Sequence, residues 1–297
     1  MTASTSFAAL STAIEAAARA ASPFVAGLDW GGRHHISAVL WRPGVLVTSE
    51  QSLPDADGIT AVLPGGARVA ATLAGRDPST NVAALRLEAP AVTALAHAEP
   101  AGVGALALAM GADGAGGITA RLASIERLGP AWESMRGGRI DRSIGLAVRL
   151  SATAEGGPVI DADGGLLGMS TFGPRRSVLV IPASTIARVL DPLLSAGRIA
   201  RGWLGVGLHP VDLPREQAEL AGVAVGLMVV NLAAGAPAMG VLMPGDILLE
   251  IGGTAVASPR AVAAALGPER IGQTVSLKVL RGGALARPSV TVAARPG

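Results

Sequence analysis

Glu155 is the side chain of this sequence best set for chemistry, a carboxylate in the glycine-rich run Thr153-Ala154-Glu155-Gly156-Gly157-Pro158. Paired with Glu50 it could hydrolyse a substrate by acid and base catalysis, one group holding a proton that the other lacks. No aromatic residue suited to stacking on a substrate neighbours either of them in the sequence. The competing reading is a glutamate simply tolerated in a site without activity. The four histidines, His34, His35, His97 and His209, offer little more. His34-His35 suggests a metal site, but adjacent residues of a strand point to opposite faces, so one ion does not easily take both. A solvated or hydrogen-bonded pair is the plainer reading. With no cysteine, neither a disulfide nor a thiolate metal centre contributes. No cofactor is expected.

The elements that position these residues are mostly strands. Half of the 297 residues are hydrophobic, only 2% are aromatic and 40 are glycine, so Val, Leu, Ile and Ala must fill the core. Short strands with many turns use such a mixture, and the length suffices for two or three compact units. Two helices break the pattern. Phe7, Leu10, Ile14 and Ala18 recur at helical spacing and predict a helix whose apolar stripe packs on the body. Ile186, Val189, Leu190, Leu193 and Leu194 predict a second, ended by Gly197. The next unit then starts near residue 199. The net charge is +2 and the basic residues are scattered, which argues against a nucleic-acid surface. Leu220 to Gly245 has no charged residue, but Gly222, Gly226, Asn231, Gly235, Pro237, Gly240 and Pro244 punctuate it as strands and turns rather than a membrane span.

The run around Glu155 resembles the Gly-Asn-Ser-Gly-Gly-Pro motif of the HtrA (high-temperature-requirement) branch of trypsin-like proteases, with the nucleophilic serine replaced by glutamate. Two further segments are similar to that family. Leu46-Val47-Thr48-Ser49-Glu50-Gln51-Ser52-Leu53 matches its Leu-Thr-Asn-Asn-His-Val-Val segment, so Gln51 takes the place of the histidine base. Gly75-Arg76-Asp77-Pro78-Ser79-Thr80-Asn81-Val82-Ala83-Ala84-Leu85 matches the segment that carries the aspartate, and Asn81 takes its place. The spacing is also the family's, 30 residues from Gln51 to Asn81 and 74 from Asn81 to Glu155. A glutamine takes up no proton near neutral pH and an asparagine does not stabilise an imidazolium. Thr153 stands where the family has a glycine that helps form the oxyanion hole, and a β-branched residue resists the backbone angles needed there. The resemblance therefore implies an all-β-dominated, trypsin-like double β-barrel over residues 25–198, after an N-terminal segment 1–24. One barrel would hold about residues 25–100 and the other about 101–185. A degenerate triad at Gln51, Asn81 and Glu155 would leave it without protease activity.

The remainder, 199–297, resembles an HtrA-type PDZ domain. Arg201-Gly202-Trp203-Leu204-Gly205-Val206, Gly226-Leu227-Met228-Val229-Val230 and Pro244-Gly245-Asp246-Ile247-Leu248-Leu249-Glu250-Ile251-Gly252-Gly253 carry the likeness. It implies a groove for the carboxyl terminus of a protein or peptide, bounded by Trp203, Leu204, Gly205 and Val206 and closed by Ala261 and Ala265 of a short helix. Arg201, Trp203 and Arg260 could assist a ligand carboxylate or simply pack on the surface. The family also implies a homotrimer built from N-terminal segments, for which Phe7 and Phe24 are candidates; a helix folded back on its own barrel would bury the same stripe. Residues 1–23 lack a basic region and an unbroken apolar core, so as written the chain reads as cytoplasmic, and as periplasmic where a leader has been removed. Three functions remain open: a peptide-binding pseudoprotease scaffold, a residual hydrolase with a rearranged site, and a purely structural subunit.

Overall fold

The computed structural model describes residues 6–31, 35–55, 58–88 and 94–296. Two compact units divide the chain, residues 1–134 with 139–199, and residues 200–297 with 135–138.

Alternation along short strands builds two closed barrels in the first unit. Strands β1 (Val25–Asp29), β2 (His35–Arg42), β3 (Val45–Ser49), β4 (Thr60–Val62), β5 (Arg68–Asp77) and β6 (Val82–Leu87) close in the order β1-β2-β3-β6-β5-β4. Strands β7 (Leu106–Ala112) and β8 (Ile118–Gly129) lead through a two-stranded ribbon, β9 (Trp132–Glu133) and β10 (Arg139–Ile140), into the second. That barrel is completed by β11 (Ser143–Leu146), β12 (Pro158–Asp161), β13 (Leu166–Phe172) and β14 (Val178–Pro182), in the order β11-β14-β13-β12-β7-β8. The period of two sorts the side chains. Leu40 and Leu46 fill the first barrel, whereas Val39, Trp41, Val45 and Val47 point outward into a core shared with Met110, Ile160 and Met169 of the second. Both barrels thus wall one buried layer, and the turns after β3 and β5 meet the turn before β12.

Helix α1 (Phe7–Ala21) is capped by Ser6, whose Oγ accepts from Ala9 N–H at 3.2 Å. Only its second half packs as expected. Ile14, Ala17 and Ala18 lie on the shared core, but Phe7 is 88% exposed and Leu10 36%. The stripe outruns the surface beneath it. Helix α2 (Ala183–Ala196) buries Ile186, Val189, Leu190 and Leu193, and Gly197 at φ 71° ends it with an N–H bonded to Leu193 O at 3.0 Å.

The second unit begins with β15 (Gly202–Trp203), β16 (Val206–Asp212), α3 (Arg215–Ala221) and β17 (Val225–Leu232). It continues through β18 (Ile247–Ile251), β19 (Thr254–Ala255), α4 (Pro259–Ala265), β20 (Thr274–Arg281), β21 (Ala284–Ala286), β22 (Ser289–Thr291) and β23 (Ala293–Ala294). Strands β16-β17-β18-β20-β21 form its main sheet, and Leu227, Leu248, Leu277 and Val279 centre its core. The uncharged stretch 220–245 is broken into β17 and turns, and no helix among the described residues is long and apolar enough to cross a membrane. In the Pro244-Gly245-Asp246 turn, Asp246 is 1% exposed and accepts two hydrogen bonds from Arg281, at 2.8 and 2.7 Å, and one from Met243 N–H at 3.0 Å. Burial alone would raise the Asp246 carboxyl; the Arg281 guanidinium and the Met243 N–H outweigh it and hold the group below its usual value.

Candidate functional site

Three turns deliver the sequence candidates to one place between the barrels. The first follows β3 as a single 3-10 turn, Glu50–Ser52. The second leaves β5, where the Asp77 carboxylate accepts from Ser79 N–H (3.1 Å), Ser79 Oγ (2.6 Å) and Thr80 Oγ1 (2.7 Å). This side-chain-backed turn presents Asn81 at φ 58°, a left-handed conformation that asparagine tolerates better than most residues. The third is the turn before β12. A Cβ on Gly156 would run into Ser37 O and Thr48 Oγ1, and one on Gly157 into Met110 O, so Gly156-Gly157 is what lets this segment press against β2, β3 and β7.

Glu155 is 5% exposed and its carboxylate is enclosed by donors. Oε1 accepts from Gln51 Nε2 at 2.6 Å, Thr171 Oγ1 at 2.8 Å, Ser49 Oγ at 2.9 Å and Phe172 N–H at 3.3 Å. Oε2 accepts from Ser52 Oγ at 2.5 Å. Asn81 completes the cluster. Its Nδ2 donates to Thr171 Oγ1 at 2.7 Å and its Oδ1 accepts the Gln51 N–H at 2.8 Å. Gln51 Nε2 also reaches Phe172 O at 3.0 Å. Ser49, Gln51, Ser52 and Asn81 come from the first barrel, Glu155, Thr171 and Phe172 from the second, so the network ties the two together.

The backbone at Glu155 is also engaged. Ala152–Ala154 form a 3-10 turn in which Glu155 N–H donates to Ala152 O at 3.3 Å. The Thr153 carbonyl accepts from Ser37 Oγ at 2.7 Å, and Thr153 Oγ1 lies 2.8 Å from Ser151 Oγ. Glu50 is paired with Arg76, whose Nη1 lies 3.8 Å from its Oε1. An open depression of about 530 Å³ adjoins the cluster, lined by Trp30, His35, Phe172 and Arg176 among others. The Arg176 guanidinium stacks 5.0 Å above the Phe172 ring. His35 opens β2, whereas His34 lies outside the described residues, so the proposed pairing of the two is not described. No group of three or more His, Asp or Glu side chains able to hold a metal occurs among the described residues.

In the second unit a groove of about 220 Å³ runs between β16 and α4. Trp203, Leu204, Gly205 and Val206 line it, and Arg201 does too. On the helix side the expectation needs correcting. Val262, Ala263 and Leu266 line the groove, and Val262 and Leu266 belong at the same time to the buried core, whereas Ala261 and Ala265 are half-buried against that core and do not line the groove. Arg260 does not line it, and Arg295, which sequence reasoning missed, does. Gly205 has φ 75°, and a Cβ there would collide with Ala236. Leu204 and Gly205 lie outside the strands, and among the described residues their N–H groups donate to no backbone acceptor.

Thr171, Ser49 and Ser52 were also missed. A signal existed for the first two: β3 and β13 are apolar strands that contain Thr48, Ser49, Ser170 and Thr171, all buried. Buried hydroxyls in such strands mark a polar network that they must serve.

With this geometry in view, the comparisons are consistent with one another. Residues 36–169 match the trypsin-like peptidase domain family and residues 202–292 the PDZ domain family. The chain is 29% identical over 273 residues to a probable periplasmic serine endoprotease DegP-like protein of Brucella suis, covering 87% of this chain and 52% of that protein. It is 30% identical over 269 residues to a protein of the same description from Halomonas elongata, covering 86% and 55%. The chain thus spans about half the length of the curated relatives it matches. Among solved structures it resembles the HtrA-type protease AlgW with decapeptide, at a TM-score of 0.74 and 26% identity over 95% of this chain and 98% of that one. The same protease with tripeptide gives 0.72 and 28%, over 95% and 97%. Fold and matches together define a trypsin-like peptidase double barrel followed by one PDZ domain. Within that class the chain is similar to DegP-like and HtrA-type proteases.

Proposed function

We propose that this chain is a non-catalytic HtrA-type protein that holds the carboxyl-terminal ends of other polypeptides in its PDZ groove, with the barrels as a scaffold. The observation that carries the reading is the state of Glu155. Its carboxylate accepts five hydrogen bonds, and the two side chains assigned to the base and its partner, Gln51 and Asn81, are amides spent on holding that network. Serine-protease chemistry needs a nucleophile, a group that accepts its proton, and free N–H donors for the developing oxyanion. Here the Glu155 N–H is engaged by Ala152 O, and none of the described histidines, His35, His97 and His209, is among the partners of Glu155. A carboxylate pair is not supported either, since the charge partner of Glu50 is Arg76 and Glu50 is not among the hydrogen-bond partners of Glu155. Peptide holding is supported by an open groove with unengaged N–H groups at Leu204 and Gly205.

A fluorophosphonate probe tests the catalytic half. The purified protein is expected to stay unlabelled under conditions that label an active serine protease to completion, and to leave casein intact. Stoichiometric labelling of any serine would overturn the reading. A library of free carboxyl-terminal peptides tests the binding half, with dissociation constants on the order of micromolar expected for apolar-ended sequences.

A further inference from the structure

We infer that Arg295 is a specificity-determining residue of the PDZ groove, a cation that reads the free α-carboxylate of a ligand ending in an apolar side chain. The inference rests on the peptide-binding reading above and names what the groove selects.

Two arginines, Arg201 and Arg295, line the groove, and no acidic residue does. Their backbones are locked together: Arg295 N–H donates to Arg201 O at 2.7 Å, continuing the pairing of β15 with β23, in which Gly202 faces Ala294 and Trp203 faces Ala293. Arg295 therefore stands at the β15 end of the groove, next to the turn whose Leu204 and Gly205 N–H groups have no backbone acceptor. A peptide laid along β16 would put its last residue at this end and every earlier residue farther from it, so the charge nearest Arg295 is the terminal carboxylate rather than an acidic side chain upstream. Two other cations of this unit are held by carboxylates. Arg281 is paired with Asp246 and Lys278 with Glu250, whereas among the described residues the Arg295 guanidinium has no hydrogen bond or ion pair. The remaining walls, Leu204, Val206, Val262 and Leu266, are apolar, which suits an aliphatic or aromatic last side chain. A guanidinium adds to the N–H donors a charged, fork-shaped partner for the carboxylate.

Calorimetry with one Val-ended peptide, as free acid and as carboxamide, tests this on wild type, Arg295→Gln and Arg295→Lys. Arg295→Gln is expected to weaken the free acid about 3- to 10-fold, the range for a solvent-accessible charge-assisted contact, and to leave the carboxamide within about twofold. Arg295→Lys should recover most of the loss, and raising salt from about 0.05 to about 0.5 M should shrink the difference between wild type and Arg295→Gln. An equal loss for both peptides, or no loss for either, overturns the assignment. Failure of the underlying peptide-binding reading is distinguishable, because wild type itself would then bind neither peptide.

Discussion

Glu155 shows what a single residue can decide. At a position where the family resemblance expects a hydroxyl, its longer side chain reaches into the first barrel and collects donors from Ser49, Gln51 and Ser52. Removing the acceptor strands the Ser49 and Thr171 hydroxyls, both buried, and an unsatisfied buried polar group costs more than a lost hydrogen bond is worth. Glu155→Ala is therefore expected to destabilise the barrel unit by about 3 kcal/mol, and Glu155→Gln, which keeps one acceptor oxygen, by about 1 kcal/mol. Urea denaturation followed by fluorescence reads both. A loss below that of Glu155→Gln for the alanine variant would mean that the network does not stabilise the fold.

Among the elements, the turn between β15 and β16 makes a strict demand on its sequence. Gly205 combines a φ of 75° with a position where any Cβ would strike Ala236. Gly205→Ala should cost about 1–3 kcal/mol through strain and overpacking, and it should also shift the Leu204 and Gly205 N–H groups out of line. Peptide affinity is then expected to fall at least tenfold at a temperature where circular dichroism shows the variant still folded. Unchanged affinity would place carboxylate recognition elsewhere in the groove. Helix α4 is the matching lesson on the other wall. Its apolar residues were evident, but Pro259–Ala265 is Ala-rich, and near-identical small side chains do not reveal which face looks at a groove.

For the whole molecule, each unit carries its own core, so calorimetric unfolding is expected to resolve two transitions that respond to different substitutions. Glu155→Ala should lower one and Asp246→Asn the other. The second transition should also be acid-sensitive. Asp246 has a folded value below its unfolded one, near 3.9, so its stabilisation is complete above that value and is lost as pH falls through the lower folded value. In Asp246→Asn that transition should be lower at neutral pH and flatter on acidification. A single transition shifted equally by both substitutions would contradict the expectation.

The sequence alone determined the architecture, because strand alternation, turn glycines and family motifs are local signals that survive low identity. Gly156-Gly157 and Gly197 are legible in this way: each answers a backbone requirement that little else meets. The three positions Gln51, Asn81 and Glu155 were legible too, as departures from a motif. Only the tertiary structure decided what those departures became. Thr171 lies 16 residues from Glu155 and 120 from Gln51, yet its hydroxyl meets both, and no pattern along the chain announces that meeting. Arg295 likewise owes its place in the groove to the pairing of β23 with β15, some ninety residues away. Spacing along one chain constrains what a residue can be, whereas hydrogen bonds between strands from distant parts of that chain decide what it touches.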